Sequence, residues 1–398
     1  MRILFAAALL GAAPLSAQHP ARTPAGWDHF TASMDRYAAG DSIVGGAAIM
    51  VRNGQIVAHH EYGWQDRAAG QRVDQRTLFH WASITKTLTA VAIMQLRDRG
   101  LLSLDDPAVK WVPELRLIHD PYGSIDSVTV RMLLSHSAGF QNPTWPYTNG
   151  ESWQPFEPTS WDQLVAMMPY QKLLFKPGSR FGYSNPAFIY LARIIEAITG
   201  DDYQTYIQKN IWSPLRMDRS YFGATPYYLA RDRCNNYTLE ADSAGGLHLV
   251  ANGRDFNPGI TIPNSGWNAP LADLATWMAF LTGADRGDSL TASRYATVLR
   301  RSTLQEMWRP VVSRAEAVNA PELGGMGLSF FIYRVQGDTL IGHTGEQAGF
   351  RSFFLINPRT STAIVANFNT INDVHPRESS RGFGAVMAEA EKVLVASR

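Results

Sequence analysis

Hydrophobic and polar residues follow helical spacing in some parts of the chain and strand-like spacing in others. An amphipathic stretch from about Asp28 to Ala39 predicts a helix. Two strand-like runs follow, Ala47–Arg52 and Gln55–His60, and Asn53-Gly54 joins them. Because Asn-Gly favours the tight turn of a hairpin, these residues predict a pair of antiparallel strands.

The middle of the chain has mostly helical patterns. After Ser83, the apolar residues Leu88, Val91 and Leu96 recur at helical spacing, and the run closes at Gly100. Further helical segments are predicted within 101–139, from a turn at 175–186 up to Gly200, and from about 269 to 282. The spacing of the first helix predicts that it is buried.

Strand-like runs return near the end of the chain. They cover 327–335, 339–343, 350–357 and 362–367, and a last helix is predicted from about 385 to 395. Strands at both ends with helices between them predict an α+β fold, with one antiparallel sheet formed from both chain ends and a mostly helical inserted region. We place the α/β part at about 25–75 and 255–398, and the helical part at about 76–254.

The first residues have the character of an export signal. Arg2 precedes an apolar run, and Leu15-Ser16-Ala17 supplies small residues at the cleavage position. We therefore expect a signal peptide at 1–17 and a mature domain at 18–398, secreted and periplasmic. No later stretch is apolar enough to cross a bilayer, so we expect no stable membrane insertion.

Composition narrows the expected partners. The formal net charge is +1 and charges of both signs are mixed, so no basic stripe predicts nucleic-acid binding. Cys234 is the one cysteine, which excludes an internal disulfide. A small molecule or peptide is the expected partner, and the oligomeric state stays open.

Ser83 and Lys86 form the first candidate chemical pair. Positions three apart share a helix face, so the hydroxyl and the amine can reach hydrogen-bond distance. None of the other lysines has a serine three residues before it. Burial would lower the pKa of Lys86, which makes its neutral amine available as a general base.

Tyr183 and Asn185 form a second candidate pair, at a turn that leads into a helix. A phenol can relay the serine proton, and an amide can hold the lysine and a substrate carbonyl. Tyr147 and Asn149 have the same spacing, but we prefer Tyr183 because of the turn and helix around it. We interpret His136, near a predicted helix end, as a structural histidine rather than a catalytic base.

Two further groups of polar residues are candidates for a site. His59 and His60 are neighbours on a predicted strand and point to opposite faces, so they cannot chelate a metal together. Gly342-His343-Thr344-Gly345-Glu346 lies at a predicted strand end, where a substrate could lie against the backbone like an added strand.

In this order the motifs resemble the serine β-lactamase and penicillin-binding protein superfamily, whose signatures are S-x-x-K, Y-x-N and a variant of K-T-G. The resemblance covers nearly the whole mature chain, and it implies a β-lactamase/transpeptidase-like fold. The tyrosine form is similar to the branch of class C β-lactamases, D,D-carboxypeptidases, D-aminopeptidases and family VIII esterases.

The resemblance also implies roles for the residues. Ser83 would be the nucleophile, and Lys86 and Tyr183 would together act as general base and general acid. The substrate-binding residues would be Asn185, His343, Thr344 and Gly345. Backbone N–H groups of Ser83 and Glu346 would form the oxyanion hole. Neither a metal nor an organic cofactor is implied.

Three departures affect the expected substrate. His343 replaces the lysine of class C β-lactamases and D,D-peptidases, which weakens the grip on a substrate carboxylate. Glu346 adds a negative charge nearby, and the usual glycine-rich stretch is altered at 263–267. We therefore expect a hydrolase of esters or small-peptide amides that acts through an acyl-enzyme. A class C-like β-lactamase, a D,D-peptidase and a receptor without turnover remain alternatives.

His343→Lys tests the first departure. A lysine would restore a fixed positive charge, so we expect preference to shift toward carboxylate-bearing substrates. The measurement is kcat/KM for paired substrates that differ only in that carboxylate. Unchanged selectivity would remove His343 from substrate recognition.

Overall fold

The structure is a computed structural model that describes residues 23–142, 158–285, 287–312 and 323–397. The predicted signal peptide at 1–17 and the alternative pair Tyr147 and Asn149 lie outside the described residues. Within them, no helix combines the length and the hydropathy needed to cross a bilayer.

The strands, numbered in chain order, are β1 (Gly45–Arg52), β2 (Gln55–Asp66), β3 (Gln71–Arg72), β4 (Leu78–His80), β5 (Tyr221–Phe222), β6 (Asn236–Ala241), β7 (Leu247–Gly253), β8 (Trp267–Pro270), β9 (Leu323–Met326), β10 (Phe331–Val335), β11 (Asp338–Gln347), β12 (Phe350–Asn357), β13 (Thr362–Phe368) and β14 (Thr370–Asn372).

The α-helices are α1 (Trp27–Gly40), α2 (Thr85–Asp98), α3 (Val130–Leu134), α4 (Trp161–Met167), α5 (Pro186–Thr199), α6 (Tyr203–Ile207), α7 (Ser213–Leu215), α8 (Ile262–Ser265), α9 (Leu271–Thr282), α10 (Ser289–Val298), α11 (Arg301–Met307) and α12 (Pro376–Ala396). Short 3₁₀ turns cover Ala82–Ile84, Ala108–Lys110, Pro113–Leu117, Ile125–Ser127, Met168–Tyr170, Tyr227–Leu229 and Gly259–Thr261, and a π turn covers Gln208–Trp212.

One large antiparallel sheet joins the two ends of the chain. Its order is β3-β2-β1-β13-β12-β11-β10-β9, so β1 from the first part pairs with β13 from the last. Smaller sheets have the orders β4-β8-β5 and β14-β6-β7. The predicted α+β fold, with a sheet built from both chain ends and helices between, is confirmed.

The large sheet is covered on both faces. Phe353 and Leu355 of β12 pack in one apolar cluster with α1 and α12, whereas Phe354 and Ile356 pack in the other cluster with α2, α5 and α9. Successive side chains of a strand point to opposite faces, so the run 353–356 of β12 is apolar at every position and fills both layers. The helices α1 and α12 therefore close the sheet from one side, opposite the inserted region.

The predicted hairpin at the start of the sheet is present. Asn53 and Gly54 both have positive φ, 47° and 72°, which is the turn geometry that Asn-Gly favours. The turn sets the register in which Arg52 faces Gln55.

The single strand predicted at 327–335 is wrong in its length, because β9 and β10 meet at a turn within it. Ser329 has a φ of 68°, and Gly327 N–H donates to Phe330 O at 2.9 Å. Ser329 N–H also donates to Leu134 O at 2.8 Å, which ties the turn to the end of α3. Tertiary contacts therefore interrupt an apolar run that would otherwise suit a strand.

The last helix is longer than predicted. The helix α12 begins at Pro376, well before the predicted start, because Gly382 and Gly384 hide its helical pattern in the sequence. Gly382 is required by packing, since a Cβ there would lie 2.7 Å from the Tyr37 ring.

The inserted region also contains a strand pair, β6 and β7, that was not predicted. The residues of β7 are all half-exposed or exposed, so the strand has no clear apolar alternation in the sequence.

Asp273 in the first turn of α9 is a buried carboxyl group that should make stability depend on pH. Its Oδ2 accepts hydrogen bonds from Ser220 Oγ at 2.8 Å and Arg219 N–H at 3.1 Å. Burial raises the pKa of Asp273 to about 6. Because the folded state binds this proton more tightly than the unfolded chain, the contribution to stability is full below about pH 4 and is lost as the pH rises through about 6.

We therefore expect Asp273→Asn, which keeps a carbonyl acceptor but cannot ionise, to gain stability over the parent at pH 7 by on the order of 1–2 kcal/mol, and to show no gain at pH 4. Urea unfolding at both pH values measures the difference. Asp373→Asn, at an exposed position, is the control and should show the same small effect at each pH. An equal effect of Asp273→Asn at the two pH values would contradict the expectation.

Candidate active site

Ser83 lies in the 3₁₀ turn Ala82–Ile84, between β4 and α2. The residues just before Ser83 are anchored to β8, because Trp81, which follows β4 directly, donates its N–H to Trp267 O at 2.8 Å. Ala82, fully buried, has a φ of 47°, a left-handed conformation that is uncommon for a residue with a Cβ. Thr85 Oγ1 donates to Ala82 O at 2.6 Å, so the turn is held by its own first helical residue. The half-buried Ser83 side chain remains within reach from outside.

Lys86, in the first turn of α2, is completely buried. Its Nζ lies 3.0 Å from Ser83 Oγ, 2.8 Å from Asn185 Oδ1 and 2.8 Å from the backbone oxygen of Asn264. These acceptors come from three separate segments of the chain. The structure thus brings Ser83, Lys86 and Asn185 together.

The surroundings of Lys86 favour its neutral form. Burial lowers the pKa of Lys86 well below its usual range. All three hydrogen-bond acceptors are uncharged. A neutral amine has two N–H groups and one lone pair, which match two carbonyl oxygens and one hydroxyl proton. The arrangement can therefore take a proton from Ser83.

Tyr183 lies beside this pair. Its ring centroid is 5.0 Å from Lys86 Nζ, and its ring stacks on that of His136 at 4.2 Å. Asn185 follows directly before α5, and its N–H donates to Asn142 O at 3.0 Å. Pro186 starts the helix without needing the N–H that its first turn cannot satisfy. The end of the turn thus orients both Tyr183 and Asn185 toward Lys86.

The strand β11 passes against the Ser83 turn at Gly345. A Cβ at Gly345 would lie 2.4 Å from Trp81 O and 3.1 Å from Ser83 N. Only glycine allows two backbones to come this close. Ser352 of β12 strengthens the same junction by donating to Trp81 O at 3.2 Å.

The side chain of His343 is buried among aromatic rings. It is 1% exposed, and its ring is 4.9 Å from that of Phe331 and 6.3 Å from that of Tyr183. Its Nδ1 lies 2.5 Å from the backbone oxygen of Thr344, the next residue, whose side chain is half-buried. His343 therefore forms part of the wall behind Tyr183.

Glu346 does not carry an uncompensated charge, which corrects the interpretation from the sequence. Its Oε2 lies 2.6 Å from the guanidinium of Arg351, a residue 5% exposed. Arg351 also donates to Ser379 Oγ of α12 at 2.9 Å and to Tyr37 OH of α1 at 3.3 Å. The Glu346 carboxylate is thus tied to the helices that cover the far face of the sheet.

Some residues of the site were not identified from the sequence. Asn264 contributes a backbone oxygen, which leaves no side-chain signal. His80 is buried, and its ring nitrogens lie 3.0 Å from Asn268 Oδ1 and 2.9 Å from Gln347 Oε1. Burial lowers the pKa of His80 to about 4, so it is neutral and links β4 to the end of β11.

The two histidines of β2 lie apart from this site. His59 contacts Glu61 at 3.0 Å, and His60 contacts Asp35 of α1 at 2.8 Å. Over the described ranges, no group of three or more His, Cys, Asp or Glu side chains is arranged to hold a metal ion.

Comparison with known proteins places these residues in context. The family model described as Beta-lactamase matches residues 30–385. Protein flp from Staphylococcus aureus strain NCTC 8325 / PS 47 is 26% identical over 336 residues, which cover 84% of this chain and 61% of that protein. The chain thus spans less than two thirds of the length of this curated relative.

Two solved structures have similar folds. The octameric penicillin-binding protein homologue from Pyrococcus abyssi is 26% identical, with a TM-score of 0.72 over 92% of this chain and 79% of that chain. The D-amino acid amidase from Ochrobactrum anthropi SV3 is 18% identical, with a TM-score of 0.72 over 94% of this chain and 99% of that chain. The second likeness shows the fold alone.

Gly345→Ala tests the contact between β11 and the Ser83 turn. The added Cβ would press on backbone atoms, so the two segments must separate, and we expect the rate at which an organophosphorus probe modifies Ser83 to fall by about 100-fold. Labelling by an organophosphorus probe, followed by mass spectrometry, measures that rate. Gly40→Ala is the matched control, because a Cβ at Gly40 meets nothing within 4 Å. An unchanged rate in Gly345→Ala would show that the contact does not matter to Ser83.

Proposed function

Since the chain belongs to the β-lactamase family of hydrolases, we propose that it is a serine hydrolase that cleaves esters or small-peptide amides through an acyl-enzyme on Ser83. The observation that carries this proposal is the 3.0 Å contact between Ser83 Oγ and the buried Lys86 amine. A serine hydroxyl is a weak nucleophile without an adjacent base, and this amine is such a base.

In the first step, the neutral Lys86 amine takes the Ser83 proton as Oγ bonds to the substrate carbonyl carbon. Asn185 Oδ1 and Asn264 O accept the two N–H groups of the amine and aim its lone pair at Ser83. At low pH the amine is protonated and has no lone pair to offer, so it cannot act as the base.

The negative charge that develops on the substrate oxygen needs hydrogen-bond donors. We assign the backbone N–H groups of Ser83 and Glu346 to this oxyanion hole. The close approach of Gly345 to Ser83 N supports the assignment, because it brings β11 directly beside the turn that carries the nucleophile. Preformed donors of this kind are usually the largest stabilising effect in acyl transfer.

Tyr183 is our candidate for passing the proton to the leaving group, because its ring lies beside Lys86. The bond from the carbonyl carbon to the leaving oxygen or nitrogen then breaks, and the acyl group stays on Ser83. A water molecule attacks the ester carbon and loses its proton to the Lys86 and Tyr183 pair. The bond from that carbon to Ser83 Oγ then breaks, the pair returns the proton to Oγ, and the acid product leaves.

Our proposal for the substrate class rests on the charges near the site. His343 is buried behind Tyr183, and Arg351 compensates Glu346, so neither residue offers an unpaired charge to a substrate carboxylate or amine. We therefore propose that the backbone of β11 at His343, Thr344 and Gly345, rather than a charged side chain, binds an uncharged part of the substrate. We further propose that the protein is secreted, on the strength of the apolar run that follows Arg2.

Three reporters test the proposed reaction: p-nitrophenyl butyrate, a D-alanyl p-nitroanilide and nitrocefin. We expect turnover of the ester or the anilide, with an acyl adduct on Ser83 detected by mass. Ser83→Ala should lower turnover at least about 1,000-fold and leave the melting temperature near that of the parent, because only the nucleophile is lost.

Ser293→Ala, at an exposed position of α10, is the control and should keep full turnover. Turnover of nitrocefin alone would favour the class C-like alternative. A stable Ser83 adduct without turnover would favour a penicillin-binding receptor. Turnover that survives in Ser83→Ala would show that Ser83 is not the nucleophile.

A further inference from the structure

His136 contacts the chain on both sides of Tyr183. Its backbone oxygen accepts from Gly182 N–H at 2.7 Å, and its Nδ1 accepts from Ser184 N–H at 3.0 Å. Between these two bonds, the His136 ring stacks on the Tyr183 ring, with centroids 4.2 Å apart and planes 23° apart. One residue thus restrains the tyrosine from before, from after and across its ring face.

The bond to Ser184 also defines the form of the imidazole. Because Nδ1 accepts a backbone N–H, it has no proton of its own, so the neutral ring carries its proton on Nε2. Protonation of Nδ1 would turn two N–H groups toward each other. The contact therefore requires a neutral His136.

His136 keeps this position at a conformational cost. Its φ is 54°, in the left-handed region that residues with a Cβ rarely adopt, and it is 1% exposed. Ser137 N–H donates to Met132 O at 2.9 Å, and Gly178 N–H donates to Ser137 O at 2.8 Å, so the flanking chain maintains the turn. Backbone strain of this kind persists where the surrounding structure requires it, and it is frequent near functional groups.

The same ring contributes to the apolar layer around Lys86. The centroids of His136 and Phe188 are 5.1 Å apart, and Lys86 Nζ lies 5.6 Å from the Phe188 centroid and 5.0 Å from that of Tyr183. A shift of the His136 ring would therefore move or loosen the two rings that face the amine.

We propose that His136 is a positioning residue, which fixes the Tyr183 phenol relative to Ser83 and Lys86 without touching the substrate. The inference rests on the proposed function, because it requires Tyr183 to transfer a proton. It also replaces the interpretation of His136 as a structural histidine alone with a specific action on one neighbouring side chain.

Two substitutions separate the hydrogen bond from the stacking. His136→Asn keeps an acceptor for Ser184 N–H and tolerates positive φ, but it removes the ring. His136→Phe keeps a ring but leaves Ser184 N–H without its acceptor. We expect each change to lower kcat by about 10- to 100-fold, with KM altered by less than about threefold, because misplacement of a proton-transfer group affects the chemical step.

The measurements are kcat, KM and the pH profile of kcat on the reporter that is turned over. Rates are normalised to the Ser83 that can be acylated, so a partly unfolded preparation does not imitate a catalytic loss. Both variants should move the basic limb of the pH profile, which a purely structural role would leave in place. His60→Asn is the matched control and should keep the parent kcat, because β1, β13 and β12 separate its strand β2 from β11, the strand beside Ser83.

A double-mutant comparison separates the two proposals. If His136 acts through Tyr183, His136→Asn should cost less than about twofold in a Tyr183→Phe background. A Tyr183→Phe variant with the parent kcat would overturn the proposed role of Tyr183 itself. If Tyr183→Phe does lose activity, two results would overturn the positioning role of His136 alone. One is a His136→Asn variant with the parent kcat, and the other is a double variant in which the effects of His136→Asn and Tyr183→Phe multiply.

Discussion

The site depends on the burial of one amine. Lys86 Nζ is removed from water and surrounded by three uncharged acceptors and two aromatic rings. An ammonium ion in such a place costs on the order of several kcal/mol, so the fold favours the neutral amine, the form that our proposal for Ser83 requires. Each acceptor lies on a different segment, so these surroundings of Lys86 form only when the turn before α2, the start of α5 and α8 have all packed together.

The large sheet provides the second constraint. The strands β11 and β12 hold the Ser83 turn through Gly345 and Ser352, and the sheet itself is closed by β1 pairing with β13. Arg351 continues this connection to α1 and α12 through Tyr37 and Ser379. Residues near both ends of the chain therefore help to keep the strand beside Ser83 in place, although they lie outside the site.

Much of the fold was predictable because its signals are local. The Asn53-Gly54 turn, the Gly200 end of α5 and the bounds of β12 each follow from residues within one element. The break between β9 and β10 was not predictable, since Ser329 turns there to meet Leu134, far away in the sequence. The early start of α12 was hidden by glycines that pack against a distant tyrosine rather than by any local preference.

The candidate groups for the chemistry were already evident before folding was considered: the spacing of Ser83 and Lys86 on one helical face, the turn that presents Tyr183 and Asn185, and the strand that carries His343 to Glu346. Side-chain types and short spacings are local properties, so they can be recognised without coordinates. The folded chain was needed to reveal four further features: the third acceptor of Lys86, the ion pair that compensates Glu346, the burial of His343 and the contacts of His136 around Tyr183. These depend on backbone atoms and on partners distant in the chain, and such contacts form only when the segments pack.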